Sequence, residues 1–136
     1  SDTYIYTTTD NTGSAKYTFD ISQSGQYKIE ARVNSNNDGG RNSFFVGLDN
    51  EPAQNNTLYE YHISPLSTVF IWDEVSKSGN STSSPQFDPM TWNLTQGTHS
   101  FTFYGRESNA WLDQIRLVPA TADTTPPTAP TNLSVN

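Results

Sequence analysis

The 136-residue sequence contains no cysteine, few charged residues and no long apolar run. Without cysteine it has no disulfide, no thiolate nucleophile and no thiolate metal site. No apolar stretch approaches the roughly 20 residues that a transmembrane helix needs. Seven Lys and Arg residues stand against 14 Asp and Glu residues, which gives a formal net charge of −7. This balance argues against nucleic acid and anionic membranes as partners, because both require a basic surface.

Aromatic residues are frequent, although hydrophobic residues make up only 32% of the chain. The 7 Phe, 7 Tyr and 3 Trp residues each bury a large area, so a thin two-layer core is feasible. The remaining surface must consist largely of Ser, Thr, Asn and Gln, a composition common in extracellular proteins that handle sugars. No signal peptide is recognisable, and the sequence begins abruptly. We expect a secreted, monomeric domain excised from a multidomain precursor.

Alternation of apolar and polar residues predicts strands throughout the chain. The clearest segments are Ala15–Ile21 and Tyr27–Val33, and the short polar connection Ser22–Gly25 predicts that they form a β-hairpin. The remaining predicted strands are Phe44–Leu48, Leu58–Ile63, Ile71–Val75, Met90–Leu94, His99–Tyr104 and Leu112–Val118. About eight short strands separated by turn signals predict an all-β fold, a jelly-roll β-sandwich of antiparallel strands.

Three polar loops and one change in composition organise the chain. The loops are Asn34–Asn42, Lys77–Pro89 and Arg106–Trp111. Loops at one end of a sandwich commonly carry binding residues. From residue 121 the sequence is rich in Pro and Thr and lacks a core pattern, which is typical of a semi-extended linker. We therefore expect a module at 1–120 and a linker at 121–136, whose end resembles the start of a fibronectin type III domain.

Several segments, in order, resemble carbohydrate-binding modules related to family 6. These segments are Gly25–Val33, Asn42–Asp49, Ile71–Val75, Leu94–Phe101, Arg106–Glu107 and Leu112–Ile115. The resemblance spans roughly residues 4–118. It implies a jelly roll of the galactose-binding-domain type, which binds glycans at loops on one edge and often carries a structural calcium ion.

The sequence departs from these relatives at several positions. Asn42 stands where relatives often have Asp, and Trp111 stands where they have Lys or a sugar-contacting Asn. The acidic first strand of the relatives, which normally supplies calcium ligands, is missing ahead of Tyr4. By resemblance, Asp113 is the calcium ligand that we expect, in a site assembled from separate segments.

The resemblance also brings two of the polar loops close to the segment around Trp72. Aromatic rings stack on the C–H faces of sugars, and amide, carboxylate and guanidinium groups satisfy their hydroxyl rims. The candidate ligand-binding residues are Asn37, Asp38, Arg41, Asn42, Trp72, Arg106, Glu107, Asn109 and Trp111. Arg32, Arg41 and Arg106 favour an acidic polysaccharide, whereas the net charge opposes one, so neutral galactan, xylan or glucan remains open.

Each tryptophan also has a structural interpretation. Trp111 is either a stacking platform or a ring folded back onto the edge of the sandwich. Trp72 follows two apolar residues, so it belongs either to the site or to the core. Trp92 alternates with Met90 and Leu94, and we expect it in the core.

The charged candidates have structural interpretations of their own. Arg106 and Glu107 either reach a ligand or form an ion pair between loops, which would contribute little to stability at the surface. Arg41 is a ligand contact or a solvated loop charge. The segment 38–40 is an ordinary turn or a bend that brings carbonyl groups to a cation.

Three functions compete. We favour a non-catalytic carbohydrate-binding module that tethers a secreted polysaccharide-degrading enzyme to plant or algal cell-wall polysaccharide. The alternative is a structural or adhesive spacer module of a cell-surface protein. Catalysis would require a carboxylate pair such as Glu60 and Asp73, or the cluster Tyr59–His62, acting as acid and base.

Overall fold

The computed structural model describes residues 3–51, 60–76 and 90–120, which form two packed antiparallel sheets. The strands are β1 (Ser14–Ile21), β2 (Gly25–Asn34), β3 (Ser43–Leu48), β4 (Glu60–His62), β5 (Ile71–Glu74), β6 (Trp92–Leu94), β7 (Gly97–Gly105) and β8 (Trp111–Pro119). In this part of the chain, no helix is long and apolar enough to cross a membrane. The predicted antiparallel all-β sandwich is confirmed.

The two sheets differ in how their strands are arranged. The first sheet has the order β1-β7-β3-β4. In the second sheet β2 is central, because it pairs with β8 along one side and with β5 and β6 along the other. The strands β5 and β6 contact different parts of β2, at residues 30–33 and 25–27, so they lie end to end.

The predicted hairpin between the first two strands is wrong. The strand β1 pairs with β7 in the first sheet, whereas β2 lies in the second sheet. The connection 22–24 therefore crosses from one sheet to the other. Ile21 and Ile29 both belong to the buried core, so the apolar faces of the two strands meet across the sandwich. A turn signal predicts a reversal of the chain but not whether the next strand pairs or crosses.

The core lies between the sheets and is rich in aromatic rings. Phe101 and Phe103 of β7 have ring centroids 5.3 Å apart, and Trp92 meets Phe101 edge-on at 5.3 Å. Edge-to-face contacts of this kind add to the stabilisation from buried area. Trp92 is 5% exposed, which confirms its predicted core position.

A bulge in β8 determines which of its side chains reach the core. Arg32 pairs with Gln114 while the next residue of β2, Val33, pairs with Leu112, so Asp113 is the extra residue. Such a bulge shifts the alternation of the strand by one position. Leu112 and Ile115 can therefore both pack inward although they are three residues apart.

Some predicted segments lie outside the described residues. These are the first two residues of the strand predicted at Leu58–Ile63, the whole loop Lys77–Pro89, and the linker 121–136.

Candidate functional site

Polar loops converge at one end of the sandwich, where β2, β4 and β7 end and β1, β3, β5 and β8 begin. We call this region the loop end; it comprises residues 4–13, 35–42, 63–70 and 106–110. Backbone N–H groups join its segments: Asn37 donates to the Ser67 carbonyl (2.8 Å), and Asn109 donates to the Thr7 carbonyl (2.8 Å). The backbone N–H of Asn42 donates to Glu107 Oε2 (2.8 Å), so the loops 34–42 and 106–111 meet as predicted.

Four aromatic residues cluster at the loop end. We call Tyr4, Tyr6, Phe70 and Trp111 the aromatic cluster. Trp111 and Tyr4 each contact the other three rings. The ring centroid of Trp111 lies 4.7 Å from Tyr4, 6.2 Å from Phe70 and 6.4 Å from Tyr6, and that of Tyr4 lies 5.5 Å from Phe70 and 5.9 Å from Tyr6. Tyr6 is 51% exposed, while the other three rings are half-buried. The cluster thus offers an aromatic surface to solvent, and Tyr6 is its most accessible ring.

The structure shows how Trp111 packs, and its predicted role as a stacking platform stays a prediction. It begins β8 opposite Asn34 and packs back against the sandwich edge, yet it also forms the base of the aromatic cluster. Its indole N–H is buried and has no hydrogen-bond acceptor among the described residues.

Trp72 lies apart from the core, on the outer face of the second sheet. Its side chain is 38% exposed, and the guanidinium of Arg116 lies 4.1 Å from its ring centroid. Arg116 in turn pairs with Glu30 on β2. Of the two interpretations of Trp72, the core position is wrong, because its side chain is exposed whereas the preceding residue of β5, Ile71, packs against the core. Its role as a ligand contact stays a prediction.

Arg106 is the centre of an ion-pair network between loops. Its Nη1 donates to Ser43 Oγ (2.6 Å) and to Glu107 Oε1 (3.0 Å), and its Nε lies 3.3 Å from Glu60 Oε1. The other oxygen of Glu107 accepts the Asn42 backbone N–H at 2.8 Å. Arg106, Glu107 and Asn42 therefore connect β3, β4 and the loop before β8. Of the two interpretations of Arg106 and Glu107 drawn from the sequence, the ion pair is present in the structure.

The loop 35–42 is held by its own backbone and side chains. Asp38 Oδ1 accepts the N–H of Gly40 (2.8 Å), which makes the segment 38–40 an Asx-type turn. Asn36 and Asn37 have φ of 52° and 54°, a region that Asn tolerates better than most residues. Arg41 is paired with Asp38 (3.3 Å) on the surface. Asn37, Asp38 and Arg41 thus belong to a turn at the loop end that is held by local contacts.

The calcium role that the resemblance implies for Asp113 stays a prediction. Its nearly buried carboxylate is ion-paired with the guanidinium of Arg32, which already supplies the counter-charge. The same guanidinium lies 5.0 Å from the ring centroid of Phe70, below the aromatic cluster. Within residues 3–51, 60–76 and 90–120, no group of three or more His, Asp or Glu side chains is placed to hold a metal ion.

The carboxylates considered for catalysis are engaged in structural contacts. Glu60 is 5% exposed and is held by Arg106 and His62. Asp73 Oδ2 accepts hydrogen bonds from the Tyr61 hydroxyl (2.8 Å) and the Ser64 N–H (3.1 Å). Burial raises the pKa of Asp73 to about 6, although the hydrogen bond from Tyr61 acts in the opposite direction.

Three members of the aromatic cluster, Tyr4, Tyr6 and Phe70, were not among the residues predicted from the sequence. Tyr4 and Tyr6 flank Ile5, whose backbone forms an isolated bridge with Leu112 of β8. The alternation of Tyr4, Ile5 and Tyr6 was a signal for a short extended segment, but three residues are too few for a strand assignment. Phe70 directly precedes β5, and its pairing with Trp111 depends on tertiary packing.

Comparison with solved structures identifies similar folds. No protein-family model and no curated protein matches the sequence. The CBM35 module of Cellvibrio japonicus Abf62 superposes with a TM-score of 0.57 and 13% identity, over 87% of this chain and 73% of that one. Xyl-CBM35, in complex with a disaccharide containing glucuronic acid, gives a TM-score of 0.54 and 12% identity, over 82% and 70% of the two chains.

A larger enzyme also contains this fold. A ruminal GH26 endo-β-1,4-mannanase matches with a TM-score of 0.55 and 15% identity. The match covers 88% of the present chain but only 20% of the mannanase chain. At these identities the similarity shows the fold alone. The chain is thus a jelly-roll β-sandwich like those of carbohydrate-binding modules, as the sequence predicted.

Proposed function

We propose that this domain is a non-catalytic carbohydrate-binding module that binds its glycan at the loop end. The observation that carries the proposal is the aromatic cluster, in which the half-exposed ring of Tyr6 packs against Trp111 with the two planes inclined by 55°. A ring supported from below loses little conformational freedom when a sugar stacks on it, because its rotamer is already restricted. The amide groups of the neighbouring Asn37 and Asn109 can then serve the hydroxyl rim of the sugar.

The solved structures support this proposal through their shared fold. Two of the similar structures are family 35 carbohydrate-binding modules, and one of them was solved with a disaccharide. A fold alone does not establish a function, so the argument rests on the aromatic surface of this chain.

Glu60 and Asp73, the pair considered for catalysis, do not support it. Retaining and inverting glycosidases need two accessible carboxyl groups on opposite sides of the scissile bond. Glu60 is buried within the Arg106 network, and Asp73 is bound to Tyr61 and Ser64. Neither carboxyl group can reach a substrate without breaking contacts that hold the loop end together.

In the full protein, the module would hold a secreted polysaccharide-degrading enzyme on plant or algal cell-wall polysaccharide. It would act as a monomer within a multidomain chain. Its contribution would be a raised effective concentration of the enzyme at its substrate. A shallow site of this kind gains little net free energy per sugar, so we expect modest affinity for a single chain.

Affinity electrophoresis tests the proposal directly. The 136-residue chain is run through gels containing neutral or acidic polysaccharides, with and without a calcium chelator. We expect retardation on a related set of plant or algal glycans, and the chelator shows whether a calcium ion contributes to it. No retardation on any glycan would contradict the binding function and favour a structural spacer. Loss of retardation on chelation would show that binding requires a metal ion.

A further inference from the structure

A cavity of about 260 Å³ opens at the loop end beside the aromatic cluster. Its floor consists of buried side chains of the core: Phe44, Phe103, Ala110 and Leu112. Exposed residues form its rim, and Tyr6 is one of them. Tyr6 therefore belongs to the aromatic cluster and also lines the cavity. A sugar ring that lies against Tyr6 can direct a substituent into the cavity.

The cavity has few polar groups to offer. Besides the phenolic Tyr6 at the rim, the side chains of Thr7, Ser14 and Glu107 are its polar members, and the others that line it are apolar. Both carboxylate oxygens of Glu107 already accept hydrogen bonds, from Arg106 and from the Asn42 backbone. Hydroxyl groups that entered this space would lose their hydrogen bonds to water with little compensation. The chemistry of the cavity thus selects an apolar group.

The charges around the loop end disfavour an anionic ligand. Three arginines lie at or beside it, and each is ion-paired: Arg32 with Asp113, Arg41 with Asp38, and Arg106 with Glu60 and Glu107. Carboxylates therefore outnumber these arginines, and the whole chain carries a net charge of −7. The carboxylate of a uronic acid would be repelled by this negative charge, and each nearby guanidinium is already paired with a carboxylate of the protein.

The geometry points to an uncharged sugar whose methyl-bearing group, either an O-acetyl group or the methyl of a 6-deoxy sugar, enters the cavity while the ring rests against Tyr6. This inference rests on the proposed function and adds the class of sugar that the site selects. The cavity is smaller than a typical pocket for a whole drug-sized ligand, which fits a substituent better than a complete oligosaccharide. Each methyl group buried there adds favourable apolar contact.

Matched pairs of ligands test the inference on the unmodified chain. The first pair is acetylated xylo- or manno-oligosaccharides and the same oligosaccharides after mild alkaline deacetylation. The second pair is L-fucose and L-galactose, which differ in the methyl group at C6. We expect the methyl-bearing member of one pair to bind about threefold to tenfold more tightly by calorimetric or NMR titration. The pair that shows the difference identifies the source of the methyl group.

A variant that fills the cavity locates the effect. Ala15 lines the cavity at the start of β1, and Ala15→Leu, or Ala15→Val if the larger residue is not tolerated, reduces its volume. Thr18→Leu is the control, since Thr18 is exposed on the same strand and is not part of the cavity. We expect the preference for the methyl-bearing ligand to disappear in the Ala15 variant and to persist in the control. Circular dichroism confirms that each variant is folded.

Each outcome separates the inference from the proposed function. Equal affinity for both members of both pairs overturns the inference while leaving glycan binding intact. A preference that survives in a folded Ala15 variant overturns it as well, because the methyl group then binds elsewhere. Tighter binding of an acidic oligosaccharide contradicts the charge argument. If no saccharide binds at all, the proposed function fails, and the inference fails with it.

Discussion

The rings of Tyr4 and Trp111 are stacked, with centroids 4.7 Å apart and planes inclined by 22°. This contact joins the N-terminal segment to the first residue of β8, next to the bridge between Ile5 and Leu112. Trp111 is thus the support of the aromatic cluster, and Tyr6 is its most exposed ring. The residue that stands out in the sequence is therefore not the one most available to a ligand.

Replacement of Trp111 by alanine is expected to reduce both stability and glycan binding. The change removes the ring that Tyr4, Tyr6 and Phe70 contact, and we expect a loss of about 2 kcal/mol or more in the free energy of unfolding. Trp111→Phe retains an aromatic base and should retain most of both properties. Chemical denaturation and ligand titration measure the two effects. Full stability of Trp111→Ala together with lost binding would show instead that Trp111 itself is the platform.

Arg106 is expected to act on stability rather than through a ligand contact. In Arg106→Ala the buried carboxylate of Glu60 loses its guanidinium partner, which should cost about 2–3 kcal/mol of unfolding free energy. Arg41→Ala is the matched control, because the exposed pair of Arg41 and Asp38 should contribute less than about 1 kcal/mol. Urea denaturation followed by tryptophan fluorescence compares the variants. An Arg106→Ala protein as stable as the wild type, but unable to bind glycan, would restore Arg106 as a ligand contact.

Asp73 is expected to make the domain more stable in mild acid. Burial raises its pKa from an ordinary value of 3.8 to about 6, so the folded state binds this proton more tightly than the unfolded state. The resulting stability is fully present below the unfolded pKa and is lost as the pH rises through 6. Between pH 7 and pH 5 we expect Asp73 to add about 1 kcal/mol to the free energy of unfolding.

A variant isolates this contribution from that of His99. The pKa of His99 is also raised, chiefly by its hydrogen bond to Asp49, so His99 strengthens the fold in the same direction as the pH falls. Asp73→Asn removes only the contribution of Asp73. The variant should therefore show a smaller increase in the free energy of unfolding between pH 7 and pH 5. Denaturation curves at the two pH values give the comparison. An equal gain in the variant would show that Asp73 titrates normally in the folded protein.

The strands were predictable from sequence because alternation reports directly which residues face the core. In β2 the alternate residues Ile29, Ala31 and Val33 are completely buried, as the pattern requires. The pairing of β1 was not predictable, since its apolar face satisfies the same pattern whether it lies beside β2 or opposite it. That choice depends on contacts between residues distant in sequence, such as Phe19 with His99.

The site was only partly predictable for the same reason. Trp111 and the loops around it could be identified because polar loops rarely contain a large aromatic residue. The pairing of Arg106 with Glu60 could not be identified, because the two residues are distant in sequence and meet only when β4 packs beside β3. Tyr4 and Tyr6 were missed because their short segment acquires its role through contact with β8.

The most direct test of glycan binding at the loop end is a titration of Tyr6 variants with the glycan that retards the wild-type chain most strongly. Tyr6→Ala should leave the fold intact, since the side chain is 51% exposed, and should weaken binding about fivefold to tenfold through lost stacking. Tyr6→Phe, which keeps the ring, should bind within about threefold of the wild type. Wild-type affinity in a folded Tyr6→Ala protein would contradict the account and place the glycan elsewhere on the sandwich.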